Sequence, residues 1–174
     1  MSFLMTSDII KYDNFLNLED FKKIQDKLSE PNWYYGHGSY RPGQSGRKNV
    51  FWCMSLQKDD YFTEYLLNII EETTQEEYIL HDVYANGHTF GTMGDFHVDW
   101  NDITGRTFLY YANANWKPEW CGKTMFNVNG NIQYFDPKPN SALFFPGCIP
   151  HCAEATSKLF TDLRVTIAWK LQLK

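Results

Sequence analysis

The sequence predicts a mainly β protein with two helices near its N-terminus, and three observations support this fold class. Apolar residues recur at helical spacing only in the first part of the chain, before residue 76. Beyond Glu76 short β-forming segments alternate with turn residues, as in a β sandwich or barrel. A chain of 174 residues with 43% hydrophobic and 21% charged side chains is the size and composition of one folded domain. We therefore expect a single domain, with helical support over about 1–75 and a β core over about 76–174.

Both predicted helices are amphipathic. Asn17 has the side chain of an N-cap, and the helix that follows should end before Pro31. The second helix is expected over about 59–72, because its apolar residues fall on one stripe.

The predicted strands follow from β-forming composition and turn signals. Aromatic strand segments are expected at 33–35 and 50–56, on either side of a basic run at 41–48 that we interpret as a mobile loop. Beyond residue 76 the candidate strands are residues 78–84, the run through His97, residues 107–112, 124–128, 132–135 and 142–145, a segment around His151, and residues 164–171. Asn129-Gly130 predicts a tight hairpin turn.

Charge and composition limit the partners. The net charge of −5 and the pI of about 5.5 disfavour binding to nucleic acid or to anionic membranes. We see no signal peptide and no stretch of transmembrane length, so a cytoplasmic location is expected. The four cysteines lack CxxC spacing, which predicts free thiols.

The most informative motif is His97-Val98-Asp99. In extended chain, the period of two places the imidazole and the carboxylate on one face. One more histidine would complete a 2-His-1-carboxylate site, which leaves three positions of Fe(II) open. So short a pattern also arises by chance, and its meaning depends on the rest of the chain.

Two downstream residues give the motif a context. His151 is the histidine that follows it, at the start of a segment after a Pro-Gly turn, where a core or capping role is equally compatible. Arg164 lies among β-formers, and a buried guanidinium requires an anionic partner, which a ligand carboxylate would supply. The alternative is a side chain that points to solvent. Thr166 shares the face of Arg164 and could add a hydroxyl to the same carboxylate.

In this order, His97-x-Asp99, the Pro-x-x-x-Pro lead into His151, and Arg164-x-Thr166 resemble the Fe(II)/2-oxoglutarate-dependent dioxygenases, in their prolyl 4-hydroxylase-like branch. The resemblance covers about residues 84–169, roughly half of the chain.

Further segments are similar to that family. Tyr84-Ala85-Asn86-Gly87 resembles the Tyr-x-x-Gly that precedes the first metal ligand, and residues 107–113 resemble the second core strand. The chain departs from the collagen-type enzymes by having Arg164 where they usually have Lys, and from the frequent Gly-Gly turn by having Cys121-Gly122.

The resemblance implies a double-stranded β-helix, a cupin-like jelly roll, that hydroxylates a C–H bond with Fe(II), 2-oxoglutarate and O₂, and with ascorbate as reductant. The implied metal ligands, which are also the catalytic residues, are His97, Asp99 and His151. The residues implied to bind 2-oxoglutarate are Arg164, Tyr111, Thr166 and Tyr84. The substrate implied by this branch is a prolyl residue of a protein or peptide.

Substrate contacts are the least constrained part of the prediction. The candidates are Arg47, Trp52, Trp100 and Trp116, although for any single tryptophan a place in the core or on an ordinary surface is the favoured interpretation. A free amino acid or other small metabolite is the alternative substrate.

Two readings without this chemistry stay open. One is a cupin-like module that binds metal without catalysis, in which Arg164 and Tyr111 would not be needed. The other is a zinc site of Cys148, His151 and Cys152, which is less favoured because thiolates beside Fe(II) and O₂ would be oxidised.

Overall fold

The computed structural model describes residues 9–38 and 49–174, and within them it contains two α-helices and ten strands. The helices are α1 (Leu18–Leu28) and α2 (Leu66–Thr74), the latter preceded by a π-helical turn, Tyr61–Tyr65. The strands are β1 (Ile10–Tyr12), β2 (Tyr34–Gly38), β3 (Val50–Ser55), β4 (Tyr78–His88), β5 (Gly105–Tyr111), β6 (Thr124–Val128), β7 (Asn131–Phe135), β8 (Ser141–Pro146), β9 (His151–Ala153) and β10 (Arg164–Leu173).

The strands form two antiparallel sheets. The larger has the order β1-β8-β5-β10-β4-β3-β2, and the smaller has the order β7-β6-β9. Long-range neighbours such as β10 with both β4 and β5 show that the chain returns repeatedly to the same sheet, as a jelly roll does. The mainly β fold with N-terminal helices is therefore confirmed.

Successive side chains on β5 and β10 point to opposite faces of the large sheet, and this divides the core into two layers. On β5, Phe108 and Tyr110 belong to the cluster that packs against the helices, whereas Leu109 and Tyr111 belong to the cluster that contains Phe126 of the small sheet. On β10, the residues at odd positions from Val165 to Leu171 face the helices. The even positions are thus left for the space between the sheets, where the candidate site lies.

Local signals explain both helix ends of α1 and the β6–β7 hairpin. The Asn17 side chain accepts a hydrogen bond from the Asp20 amide at 2.9 Å, as predicted for an N-cap, and the helix ends before Pro31. Asn129 and Gly130 have φ values of 52° and 86°, which a tight hairpin turn requires. The second helix differs from its prediction because its first turn is π-helical.

The sequence predicted a strand through His97, and this prediction is wrong because no regular strand forms there. His97 makes one isolated antiparallel bridge to His151, with backbone N···O distances of 3.0 and 2.9 Å. Beyond it the amides of Asp99 and Trp100 both donate to the carbonyl of Gly147, so that the chain leaves the ladder after one pair. The predicted loop at 41–48 lies outside the described residues.

All four cysteines are free thiols, as predicted. No helix within the described ranges is long and apolar enough to cross a membrane.

Candidate active site

The predicted metal ligands meet in space. One ligand atom from each of His97, Asp99 and His151 lies within 4.8 Å of the others. The Nε2 atoms of the two histidines are each 3.4 Å from an Asp99 carboxylate oxygen. Among the residues that the structure describes, this is the group able to hold a metal ion, and it contains neither Cys148 nor Cys152.

Backbone contacts orient both imidazoles. The Nδ1 atoms of His97 and His151 lie 2.8 and 2.9 Å from the carbonyl oxygens of Asp95 and Ile149. Because a carbonyl only accepts, each Nδ1 must carry the proton, and each Nε2 is left with the lone pair that a metal needs. Burial lowers the pKa of His151 to about 4, so that this ring is neutral at pH 7.

Asp99 is held by two donors on one of its oxygens. Its Oδ2 accepts from the Thr107 hydroxyl at 2.6 Å and from the Lys170 ammonium. Burial alone would raise the pKa of this carboxyl, but the charge of Lys170 and the neighbouring histidines hold it well below its ordinary value. The carboxylate is therefore ionised and fixed before any metal binds.

Trp100 fixes the backbone that carries Asp99. Its ring lies against Gly105 and Gly147, where an added Cβ would be 2.0 and 2.2 Å from Trp100 atoms. The Gly147 carbonyl accepts from the amides of Asp99 and Trp100 at 2.8 and 3.2 Å. Only glycine allows this approach, so the two glycines set the position of the carboxylate.

Arg164 forms the second half of the site. It is 1% exposed, and its Nε donates to the Gly122 carbonyl at 2.6 Å while one terminal nitrogen donates to the Thr124 hydroxyl at 3.2 Å. The guanidinium carbon lies 5.9 Å from the centre of the Tyr111 ring, and the Tyr111 hydroxyl donates to Thr124 at 2.7 Å. No carboxylate of the described chain forms an ion pair with Arg164, so an anionic ligand fits this position.

His88 lies beside Arg164 and, with Asn86, adds polar atoms that a ligand or water would satisfy. Burial, and secondly the Arg164 charge, lower the pKa of His88 to about 3, so that the ring adds no charge. Its Nε2 and the Oδ1 of Asn86 are buried without a hydrogen-bond partner in the described structure. Such atoms indicate a place that a ligand or water completes.

One cavity of about 460 Å³ joins the two halves. Its wall includes the triad and two rows of alternating residues from neighbouring strands. Those rows are Arg164, Thr166, Ala168 and Lys170 on β10, and His88, Asn86, Tyr84 and Asp82 on β4. A metal at the triad and a dicarboxylate reaching Arg164 both fit the donors that this cavity offers.

The other predicted binding residues have different placements. Tyr84 and Thr166 line the cavity, and Tyr111 reaches it through Thr124. Trp52 packs against Tyr35 with ring centres 5.4 Å apart, and neither ring lines the cavity.

Trp100 and Trp116 also do not line the cavity. Trp116 packs 4.7 Å from Phe160, and its indole N–H donates to the Cys121 carbonyl. Arg47 lies outside the described residues. The structure does not bring the three tryptophans to the cavity, and contact of any of the four residues with substrate stays a prediction.

Sequence reasoning missed Lys170, whose contact with Asp99 spans 71 positions of the chain. A signal was present in the sequence. Lys170 is six residues after Arg164 on a strand of β-formers, and because side chains alternate with a period of two, both must share one face. Thr107, Thr124 and His88 carried no comparable signal.

No protein-family model matches the sequence, and no curated protein matches it. Solved structures share its fold. An oxidoreductase of the 2OG-Fe(II) oxygenase family from Burkholderia pseudomallei superposes with a TM-score of 0.74 over 97% of this chain and 87% of that chain, at 9% identity.

Two prolyl hydroxylases are similar in the same way. The enzyme from Trichoplax adhaerens, in complex with a hypoxia inducible factor peptide fragment, has a TM-score of 0.73 over 97% of this chain and 85% of its own, at 17% identity. The viral collagen prolyl hydroxylase from Paramecium Bursaria Chlorella virus-1, in a 2OG complex, has a TM-score of 0.60 over 98% of this chain and 99% of its own, at 14% identity. The fold is thus the jelly roll of the 2-oxoglutarate oxygenases, and the predicted resemblance is confirmed at this level.

Proposed function

We propose that this chain is an Fe(II)- and 2-oxoglutarate-dependent dioxygenase that hydroxylates a C–H bond. The observation that carries the proposal is one cavity holding both the triad and a buried Arg164 that has no carboxylate partner among the described residues. A cupin-like module that only binds metal would need the triad alone. The arginine is accounted for only if an anion binds beside the metal.

Each residue has a physical role in this proposal. His97 and His151 would hold the metal through Nε2, and Asp99 through its carboxylate. Arg164 would bind the far carboxylate of 2-oxoglutarate in a bidentate manner, with Thr166 and Tyr111 nearby. When bound, Fe(II) supplies the O₂ chemistry that couples decarboxylation of 2-oxoglutarate to hydroxylation. The protein positions the reactants and keeps water out.

A prolyl residue of a protein or peptide is the first candidate substrate. The resemblance to the prolyl 4-hydroxylase-like branch supports it, and one similar structure holds a peptide fragment. A free amino acid or small metabolite is the second candidate, and Lys170 favours it because it places a cation inside the cavity. We place the activity in the cytoplasm, which the free thiols favour.

The test is formation of succinate from 2-oxoglutarate by the purified protein with Fe(II) and ascorbate, even in slow turnover without substrate. We expect His97→Ala and His151→Ala to abolish it, whereas His81→Ala, at an exposed histidine outside the cavity, should not. Absence of succinate with the native protein, or normal turnover in His97→Ala, would refute the proposal. Incubation with peptide libraries and metabolite mixtures, read as a mass gain of one oxygen, would identify the substrate.

A further inference from the structure

Lys170 places a second cation in the cavity, and apart from its contact with Asp99 the proposed reaction gives it no role. Its side chain is 14% exposed and lines the cavity, with its ammonium on Asp99 and beside the Tyr84 hydroxyl. A lysine ammonium has three N–H donors, and these two partners engage two of them. One donor is left for a further partner among the contents of the cavity.

The charges of the cavity suit a zwitterionic ligand. Its charged lining residues are Asp82, Asp99, Arg164 and Lys170, so that two cations are matched by two carboxylates. A divalent metal and a dianionic 2-oxo acid also cancel each other. A further ligand with one ammonium and one carboxylate group would keep this balance, because it can pair both charges that it brings.

Lys170 lies far from Arg164, the proposed binding site for the far carboxylate of 2-oxoglutarate. Arg164 and Lys170 lie six residues apart on the same face of β10, which is about 20 Å between backbones at the usual rise of a strand. The Asp99 contact puts the metal at the Lys170 end, so a dicarboxylate between metal and Arg164 extends away from Lys170. The space beside Lys170 is therefore available to the second reactant.

The Lys170 end is also the open end. Asp82, which pairs with Lys170 across the β4–β10 ladder, is exposed and lines the cavity, whereas Arg164 is almost completely buried. A molecule that enters here meets the carboxylate of Asp82 at the mouth and the ammonium of Lys170 inside. This order of charges suits a small molecule with both an ammonium and a carboxylate group.

We infer that Lys170, with Tyr84 beside it, forms an anion subsite that binds the carboxylate of the primary substrate. The inference rests on the proposed function and narrows its substrate to a small carboxylic acid, with an amino acid as the best fit. A residue within a peptide chain has no carboxylate at its backbone and does not engage the third donor of Lys170. Lys170 is in this view a specificity-determining residue.

The experiment uses the full chain loaded with Mn(II) and saturated with 2-oxoglutarate. Relaxation of ligand protons by Mn(II) then reports binding close to the metal, without turnover. The probes are the protein L-amino acids, their α-amides, and prolyl peptides blocked at both ends. We expect at least one acid to bind about 10- to 100-fold more tightly than its amide, since a charge-assisted contact is lost in the amide.

Variants assign this preference to Lys170. Lys170→Met should remove the preference for the acid, and Lys170→Arg should retain most of it, while Lys158→Met, at an exposed lysine outside the cavity, should change nothing. Equal binding of acids and amides by the native protein, binding of blocked peptides alone, or an unchanged preference in Lys170→Met would overturn the inference. Failure of the native protein to bind Mn(II), seen by its EPR signal, would instead refute the proposed function and the subsite that rests on it.

Discussion

The hydroxyl of Thr107 lies 2.6 Å from Asp99 Oδ2 and donates to it. With Lys170 on the same oxygen, this contact leaves Oδ1, 3.4 Å from His97 Nε2, as the oxygen best placed for a metal. Thr107 is completely buried on β5, so its geometry is set by the sheet. The carboxylate is thus oriented from behind by a residue that does not touch the metal.

Thr107→Val should weaken metal binding about 10-fold, because loss of a hydrogen bond behind a ligand typically lowers metal affinity by that order. Valine has nearly the same shape, so the fold should persist. Titration with Mn(II), followed by EPR, measures the effect, and Thr73→Val on the exposed face of α2 is the matched control. An affinity equal to that of the native protein would show that Lys170 alone orients Asp99.

Arg164→Met should chiefly raise the KM for 2-oxoglutarate, by about 10- to 100-fold, because it removes a charge-assisted contact to the far carboxylate. Succinate formation at saturating 2-oxoglutarate should change much less. Arg164→Lys should fall between the two, since it retains the charge but loses the fork of donors. If KM were unaltered, another residue would anchor the carboxylate.

The sequence was sufficient for the parts of the site that local pattern encodes. His97 and Asp99 are two residues apart, and Arg164 stands out in its strand, so that periodicity and order along the chain led to them. Even where the strand through His97 is reduced to one bridge, the two side chains still share a face.

Contacts between distant segments could not be predicted in the same way. That Lys170 meets Asp99 depends on the position of β10 relative to the Asp99 loop, and no local pattern encodes that position. The packing of Trp100 against Gly105 and Gly147 depends likewise on three segments, so the sequence alone could not place its ring. In physical terms, side-chain periodicity is local, whereas packing is a property of the assembled sheets.

His88 should make stability fall as the pH falls. Burial lowers its pKa to about 3 in the folded protein, while in the unfolded chain it should titrate near 6.5. Between these values the unfolded state binds more protons, so the free energy of unfolding decreases by up to about 1.4 kcal/mol per pH unit below pH 6.5. This contribution is fully present above pH 6.5.

His88→Gln should therefore flatten the pH dependence between about pH 6 and pH 4. Urea unfolding at several pH values measures it, and His81→Gln, at an exposed histidine, is the control. A slope that is the same in His88→Gln and in the native protein would contradict the assignment to His88.

Gly105→Ala should destabilise both the fold and the metal site. The new Cβ would lie 2.0 Å from Trp100 Cγ, so the ring must move, and overpacking of this kind typically costs about 1 to 3 kcal/mol. Because Trp100 directly follows Asp99, its displacement should also weaken Mn(II) binding. Urea unfolding and Mn(II) titration measure the two effects separately.

A double-mutant cycle separates the clash from a general loss of backbone freedom. If the Trp100 ring is the cause, Gly105→Ala should be much less harmful in a Trp100→Ala background, where the ring is absent. Additive effects of the two substitutions would show that the alanine acts through the backbone instead. A clear coupling in Mn(II) binding would establish that Gly105 and Trp100, both outside the cavity lining, together determine the position of the Asp99 carboxylate.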